Sequence, residues 1–251
     1  MKIAVLQSNS PAGEPDRAFS ELGCALNAAG AAGAAVLVAP EAYLPGYNAG
    51  NIPDLAQPNT GGWLTRLSTL CKAANCGLVM GYAESDGGLV FNAAVAIDAS
   101  GNQIAHYRKI QLYGAREAAI YAPGDAYCTF DLVGSKAALL ICYDIEFAHH
   151  VAALAAMGVE IILVPTANMQ PFTHVAAHTV PAMAANYGVS IAYANYCGVE
   201  GDLTYVGSSL IVGPHGEVLA QAGNGPALLI VDLPDADPAR LSTQAIDYRK
   251  V

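Results

Sequence analysis

An unbroken apolar run, Ala137-Ala138-Leu139-Leu140-Ile141, stops abruptly at Cys142-Tyr143-Asp144-Ile145-Glu146-Phe147. A run without polar alternation, closed by a charged turn, predicts a strand buried on both faces. From Ile145 to Met157 apolar residues recur at helical spacing, and Gly158 supplies a stop. Cys142 is therefore placed at a strand-to-helix turn, at the carboxyl end of its strand, where open α/β sheets bind ligands. A helix starting just beyond it would lower the thiol pKa through its N-terminal dipole. The same cysteine also reads as a buried small apolar side chain. These residues alone leave both readings open.

The rest of the chain repeats the pattern. Met1 to Gln7 reads as a strand, Glu14 to Ala32 as an Ala-rich helix closed by Gly33, and Ala34 to Ala39 as a second buried strand ending at Pro40-Glu41. That is a βαβ unit with a carboxylate at its end. Gly61 to Asn75 reads as a helix and Cys76 to Glu84 as a strand. Leu89 to Asp98 and Gln103 to Leu112 form an antiparallel hairpin, with Lys109 late in its second strand. Gly114 to Asp125 reads as a loop carrying Glu117. A hairpin around Gly134 leads into the central strand. Val159 to Val164 follows as a strand, and Phe172 to Tyr187 as a helix that Pro181 should kink or break. The remaining strands are Val189 to Tyr196, Ser208 to Val212, Glu217 to Ala220 and Ala227 to Leu233, before a polar tail from Pro234. Two similar halves, each with two helices, predict a four-layer αββα sandwich of two mixed sheets with helices outside. No internal repeat is strong enough in sequence to establish duplication.

Composition narrows the function. With 251 residues, 54% apolar and 13% charged, the chain can bury a large core and leaves few surface charges. The formal net charge of −10 argues against nucleic acid and anionic membranes as partners. No apolar run approaches the roughly 18 residues of a membrane helix, and the first residues carry no secretory signal. Cys24, Cys71, Cys76, Cys128, Cys142 and Cys197 lack paired spacing, so free thiols in a cytoplasmic setting are expected.

Three polar groups end or interrupt strands in this apolar background: Glu41, Lys109 and Cys142. A thiol nucleophile, a carboxylate acid/base and a fixed cation are the parts of acyl transfer. Singly, Glu41 reads equally as a cap or surface glutamate, and Lys109 as a solvated strand end. Together, Ala39-Pro40-Glu41, Tyr107-Arg108-Lys109 and Leu140-Ile141-Cys142-Tyr143-Asp144 resemble the carbon–nitrogen hydrolase (nitrilase) superfamily. Leu44-Pro45-Gly46-Tyr47, Phe91-Asn92, Pro123-Gly124-Asp125, Val164-Pro165-Thr166-Ala167-Asn168 and Gly213-Pro214 extend the likeness from Met1 to about Leu233.

The resemblance implies one domain over residues 1–251 with a short tail, and a Glu41–Lys109–Cys142 triad supported by Glu117. It further implies an oxyanion donor at the Tyr143 backbone, no metal or organic cofactor, a small amide as partner, and a homodimer or larger homo-oligomer. Cys-Tyr-Asp, rather than Cys-Trp-Glu, is similar to amidase and carbamoylase branches. The stretches around Cys142, Val164 to Met169 and Tyr193 to Gly198 look most like bacterial aliphatic amidases, with the delta-aminovaleramidases nearest. N-carbamoyl hydrolysis, nitrile hydrolysis and a catalytically silent binding module are the alternatives. Tyr47, Tyr113, Thr166 and Asn168 are expected around the substrate, with Trp63, Phe172 and Tyr196 as further pocket-wall candidates. Asp144 and Glu146 read as favourable charge at a helix N-terminus.

The chain departs from the family at Ala118, at Ala148-His149-His150, and at Met183, Asn186 and Tyr187, where charged residues usually stand. The His149-His150 pair and the spaced His174 and His178 lack the glutamate of a zinc-protease signature.

Overall fold

A computed structural model describes residues 1–247 and 249. In chain order the strands are β1 (Lys2–Gln7), β2 (Val36–Val38), β3 (Gly77–Asp86), β4 (Leu89–Ile97), β5 (Gln103–Arg108), β6 (Thr129–Leu132) and β7 (Ser135–Leu139). There follow β8 (Ile161–Pro165), β9 (Ser190–Ala194), β10 (Val199–Glu200), β11 (Leu203–Thr204), β12 (Leu210–Val212), β13 (Val218–Gln221) and β14 (Ala227–Asp232). The helices are α1 (Pro15–Ala31), α2 (Ile52–Leu55), α3 (Gly62–Ala74), α4 (Gly114–Ile120), α5 (Ala148–Ala156), α6 (Val180–Tyr187) and α7 (Gln244–Asp247).

Two mixed sheets carry the fold, in the orders β14-β1-β2-β3-β4-β5 and β13-β12-β9-β8-β7-β6. In the first, the parallel trio β1-β2-β3 is flanked by antiparallel β14 on one side and antiparallel β4 and β5 on the other. In the second, the parallel trio β7-β8-β9 is flanked by antiparallel β6 and by antiparallel β12 and β13. In both halves a parallel trio is followed by two antiparallel strands; they differ at the other edge, where β6 leads into β7 but β14 returns from late in the chain to β1.

The two-residue period of a strand deals its side chains to two layers. Ile3, Val5, Val36, Val38 and Val79 enter the cluster that also holds Leu139, Leu163 and Ile191 of the second sheet. Ala4, Leu37, Leu78 and Met80 point the other way, onto α1 and α3. α1 buries Ala18, Phe19, Leu22, Ala25, Leu26 and Ala29, one helical face. Gly33, at φ 78°, ends that helix turn as the sequence predicts. α3 buries Trp63, Leu67 and Cys71, and Asn75 closes it in the left-handed region.

Three local expectations are corrected. Gly114 to Ile120 is a helix, not a loop, and it is short enough to leave little periodicity to read. No helix runs unbroken from Ile145: Cys142–Glu146 forms a tight 3-10 turn, and α5 begins only at Ala148. The expected break near Pro181 takes the form of a wide π-helical turn over Val175–Thr179, after which Pro181 sits in the first turn of α6. The helical run is continuous from His174, and the wide turn just before Pro181 is where the ordinary helical ladder is interrupted.

Candidate active site

Lys109 follows β5 directly and is fully buried. Its ammonium lies 2.6 Å from Glu41 Oε1 and 2.8 Å from Glu117 Oε1. Glu41 stands just beyond β2, and its backbone N–H donates to the Thr166 carbonyl beyond β8, so the link crosses from sheet to sheet. Glu117 lies on α4. It accepts from the Tyr47 hydroxyl at 2.7 Å and from the Tyr113 N–H at 2.8 Å. The side-chain amide of Asn92 donates to Glu41 Oε1 at 2.7 Å, while Glu41 Oε2 is buried without a partner.

One cation thus faces two carboxylates in a dry site. Burial pushes the Glu41 carboxyl up; Lys109 opposes this and the charge of Glu117 adds to it. Burial would lower the Lys109 ammonium, but Glu41 and Glu117 hold it well above the ordinary lysine value.

Cys142 follows β7 at the turn the sequence predicts, with φ 45°, a strained conformation for a residue with a side chain. Its thiol is not made acidic. Burial, then the charge of Glu41, pushes it well above the ordinary thiol value, against the pull of Lys109 and of the Ala167 N–H. The expected dipole effect is overturned because desolvation outweighs it and no regular helix starts at the sulfur.

The cysteine opens into a cavity of about 200 Å³. Tyr47, Tyr113, Tyr143, Asn168 and Phe172 line it, as expected from sequence, and so do Glu146, Met169 and His174. Tyr113 meets Tyr143 and Phe172 edge-on, at ring distances of 5.3 and 5.8 Å. Asn168 is fixed by Asn195, whose side-chain oxygen accepts its N–H at 2.8 Å. Three candidates lie elsewhere. Trp63 packs on Tyr82 and bonds the Pro58 carbonyl; Tyr196 stacks between Tyr43 and Tyr205 in the outer core. Thr166 serves through its backbone carbonyl, and its hydroxyl is buried outside the cavity lining. Larger hollows of about 570 and 600 Å³ hold none of the triad residues.

Asp144 and Asn92 are the residues that sequence reasoning undervalued. Asp144 does stand in the first turn of the 3-10 helix, where it accepts the Ile141 N–H, but it is fully buried and has further partners. Among the described residues no group of three or more His, Cys, Asp or Glu side chains is placed to hold a metal ion, and no helix is long and apolar enough to cross a membrane.

The family model for carbon-nitrogen hydrolases matches residues 2–240. The chain belongs to the carbon-nitrogen hydrolase family. As such it is a hydrolase acting on C–N bonds. An amidase from Nesterenkonia sp. superposes on this hydrolase with a TM-score of 0.91 at 34% identity, covering 99% of this chain and 93% of that one. That amidase is placed in the nitrilase superfamily. One of its structures carries acrylamide joined by Michael addition at the active site cysteine, and another holds butyramide. A Pseudomonas protegens protein described as a hydrolase in the pqqF 5′ region is 41% identical, over 78% of this chain and 70% of its own length. An (R)-stereoselective amidase from Pseudomonas sp. is 33% identical, over 86% and 78%.

Proposed function

We propose that this hydrolase converts a small carboxamide to its carboxylate and ammonia through a thioester on Cys142. The observation that carries the reading is the buried Glu41–Lys109 pair, with Glu41 Oε2 left free of any partner and both charges acting on the Cys142 thiol.

In this mechanism Glu41 takes the thiol proton as sulfur attacks the amide carbon. Two donors of Lys109 are engaged by Glu41 and Glu117, and the third is available to the developing oxyanion. The Tyr143 N–H is the second donor. One such donor is worth about 3 kcal/mol. Glu41 passes its proton to the departing nitrogen, and ammonia leaves. Water then attacks the thioester, losing its proton to Glu41, and the sulfur leaves and is reprotonated. Glu117 keeps Lys109 in place and ties it to Tyr47.

The acyl preference follows from the cavity wall. The Glu146 carboxylate lines the cavity and makes no hydrogen bond among the described residues; burial raises it, and His174 and then Lys109 oppose that rise. Aromatic faces beside a free carboxylate suit an acyl chain ending in a cation, in line with the resemblance to delta-aminovaleramidases.

Ammonia release from butyramide, valeramide and delta-aminovaleramide tests both levels. Cys142→Ala should abolish it, with the fold intact by circular dichroism. Carbon dioxide appearing with the ammonia from an N-carbamoyl substrate, or turnover of a nitrile in preference to its amide, would move the assignment to the corresponding alternative. Valeramide matching its amino derivative would remove the acyl preference alone.

A further inference from the structure

We propose that Asp144 is a positioning residue, setting the separation between the Lys109 ammonium and the Cys142 thiol. The inference rests on the amidase reading above and adds a part to it.

Lys109 and Cys142 come from different sheets, and no ladder of strand hydrogen bonds joins those sheets. The apolar seam and single bonds such as Glu41 N–H to the Thr166 carbonyl hold the sheets together, and Asp144 adds a tie at the two residues themselves. Asp144 Oδ1 accepts the Gln111 N–H at 2.7 Å. Its Oδ2 accepts the Tyr107 hydroxyl at 2.8 Å and the Ile141 N–H at 3.0 Å. Tyr107 and Gln111 bracket Lys109 in sequence, and Ile141 immediately precedes Cys142. A single carboxylate therefore grips the cation's strand on both sides and the nucleophile's strand just before its strained turn.

A carboxylate suits this set of partners: burial raises the Asp144 carboxyl, and Lys109 with the Gln111, Ile141 and Tyr107 hydrogen bonds opposes that rise. Three donors converge on it, and an amide would turn an NH2 group toward a backbone N–H. Gln111 is held a second time: its side chain meets His150 Nε2 at 3.0 Å, and His150 Nδ1 meets the Tyr127 hydroxyl at 2.7 Å. His150 is on α5, so both ties fasten the segment after Lys109 to the segment after Cys142.

The test compares Tyr107→Phe and Asp144→Asn with the parent enzyme. Its readouts are kcat and KM for a short amide, the iodoacetamide labelling rate of Cys142 against pH, and thermal melting. A small misplacement of reacting groups can lower a rate about 100-fold. Asp144→Asn should lose kcat on that scale while KM moves far less. Tyr107→Phe deletes one hydrogen bond to a charged group and should lose about tenfold. It changes no charge in the site, so an upward move of the labelling midpoint would report weaker pull from Lys109. A merely structural role would lower the melting temperature and leave that midpoint in place.

Folded Asp144→Asn with parental kcat, or a loss falling on KM alone, overturns the proposal. Should Asp144→Asn fail to fold, Tyr107→Phe decides: parental kcat and labelling profile overturn it. Turnover retained in Cys142→Ala would instead remove the underlying amidase reading, a failure that appears without touching Asp144.

Discussion

The side-chain amide of Asn92 donates to the same Glu41 oxygen that receives the Lys109 ammonium, at 2.7 Å against 2.6 Å. The Asn92 carbonyl also accepts the Lys109 N–H at 2.8 Å, so one residue holds both partners. A hydrogen bond to a carboxylate favours its ionised form. Removing it in Asn92→Ala should raise the Glu41 pKa further. The base must be ionised to act, so activity disappears as pH falls through that raised value. The acid limb of a kcat/KM profile is expected to move to higher pH, with a lower plateau. A hydrogen bond to a charged group is worth about 1.5–3 kcal/mol. An unmoved limb would show that Asn92 does not act on the base.

Lys109→Met leaves two buried carboxylates without their cation. Breaking a buried pair in this way costs about 3–5 kcal/mol. Urea titration should register a loss of that size, and amide hydrolysis should vanish. Adding Glu117→Gln to the same variant should recover part of the stability and none of the activity.

A second ionic group controls acid tolerance. Burial raises the Glu84 carboxyl, but hydrogen bonds from Arg108 and His106 outweigh it and bring it down from 4.5 to about 2. A depressed carboxyl stabilises the fold above its unfolded value and loses that contribution as pH falls through its folded value. Stability should therefore decline between pH 4.5 and about 2. In Glu84→Gln this part of the pH dependence should flatten, as measured by urea midpoints across that range.

Gly81 on β3 packs against the residue that supplies the base. A Cβ there would lie 2.4 Å from the Ala42 nitrogen and 2.6 Å from the Glu41 Cα. Gly81→Ala must therefore push the Glu41 backbone aside. Overpacking of this kind costs about 1–3 kcal/mol, and the displaced base should depress kcat more than the melting temperature suggests. Normal turnover in this variant would mean that Glu41 tolerates displacement.

Much of this architecture is legible in the residues. The apolar runs ending at Glu41 and Cys142 announce buried strands, and the ordered motifs place Lys109 and Glu117 beside them. What escapes is whatever depends on contacts between distant segments. Asp144 looks like a helix-start charge until Tyr107, Gln111 and Ile141 are seen to converge on it. The thiol shifts opposite to the sequence expectation because a local dipole is visible in sequence and desolvation is not. Trp63 and Tyr196 have the composition of pocket walls, but Trp63 faces Tyr82 from α3 and Tyr196 packs between Tyr43 and Tyr205. Gly81 gives no signal at all, since its meaning lies in the backbone it touches.

Glu41 and Lys109 follow strands of one sheet, and Cys142 follows a strand of the other. The oily seam containing Val5 and Val38 therefore acts as a calliper for the chemistry. Shaving either side chain to alanine would let the two leaves settle toward each other. Catalysis would feel that slip well before the scaffold came apart.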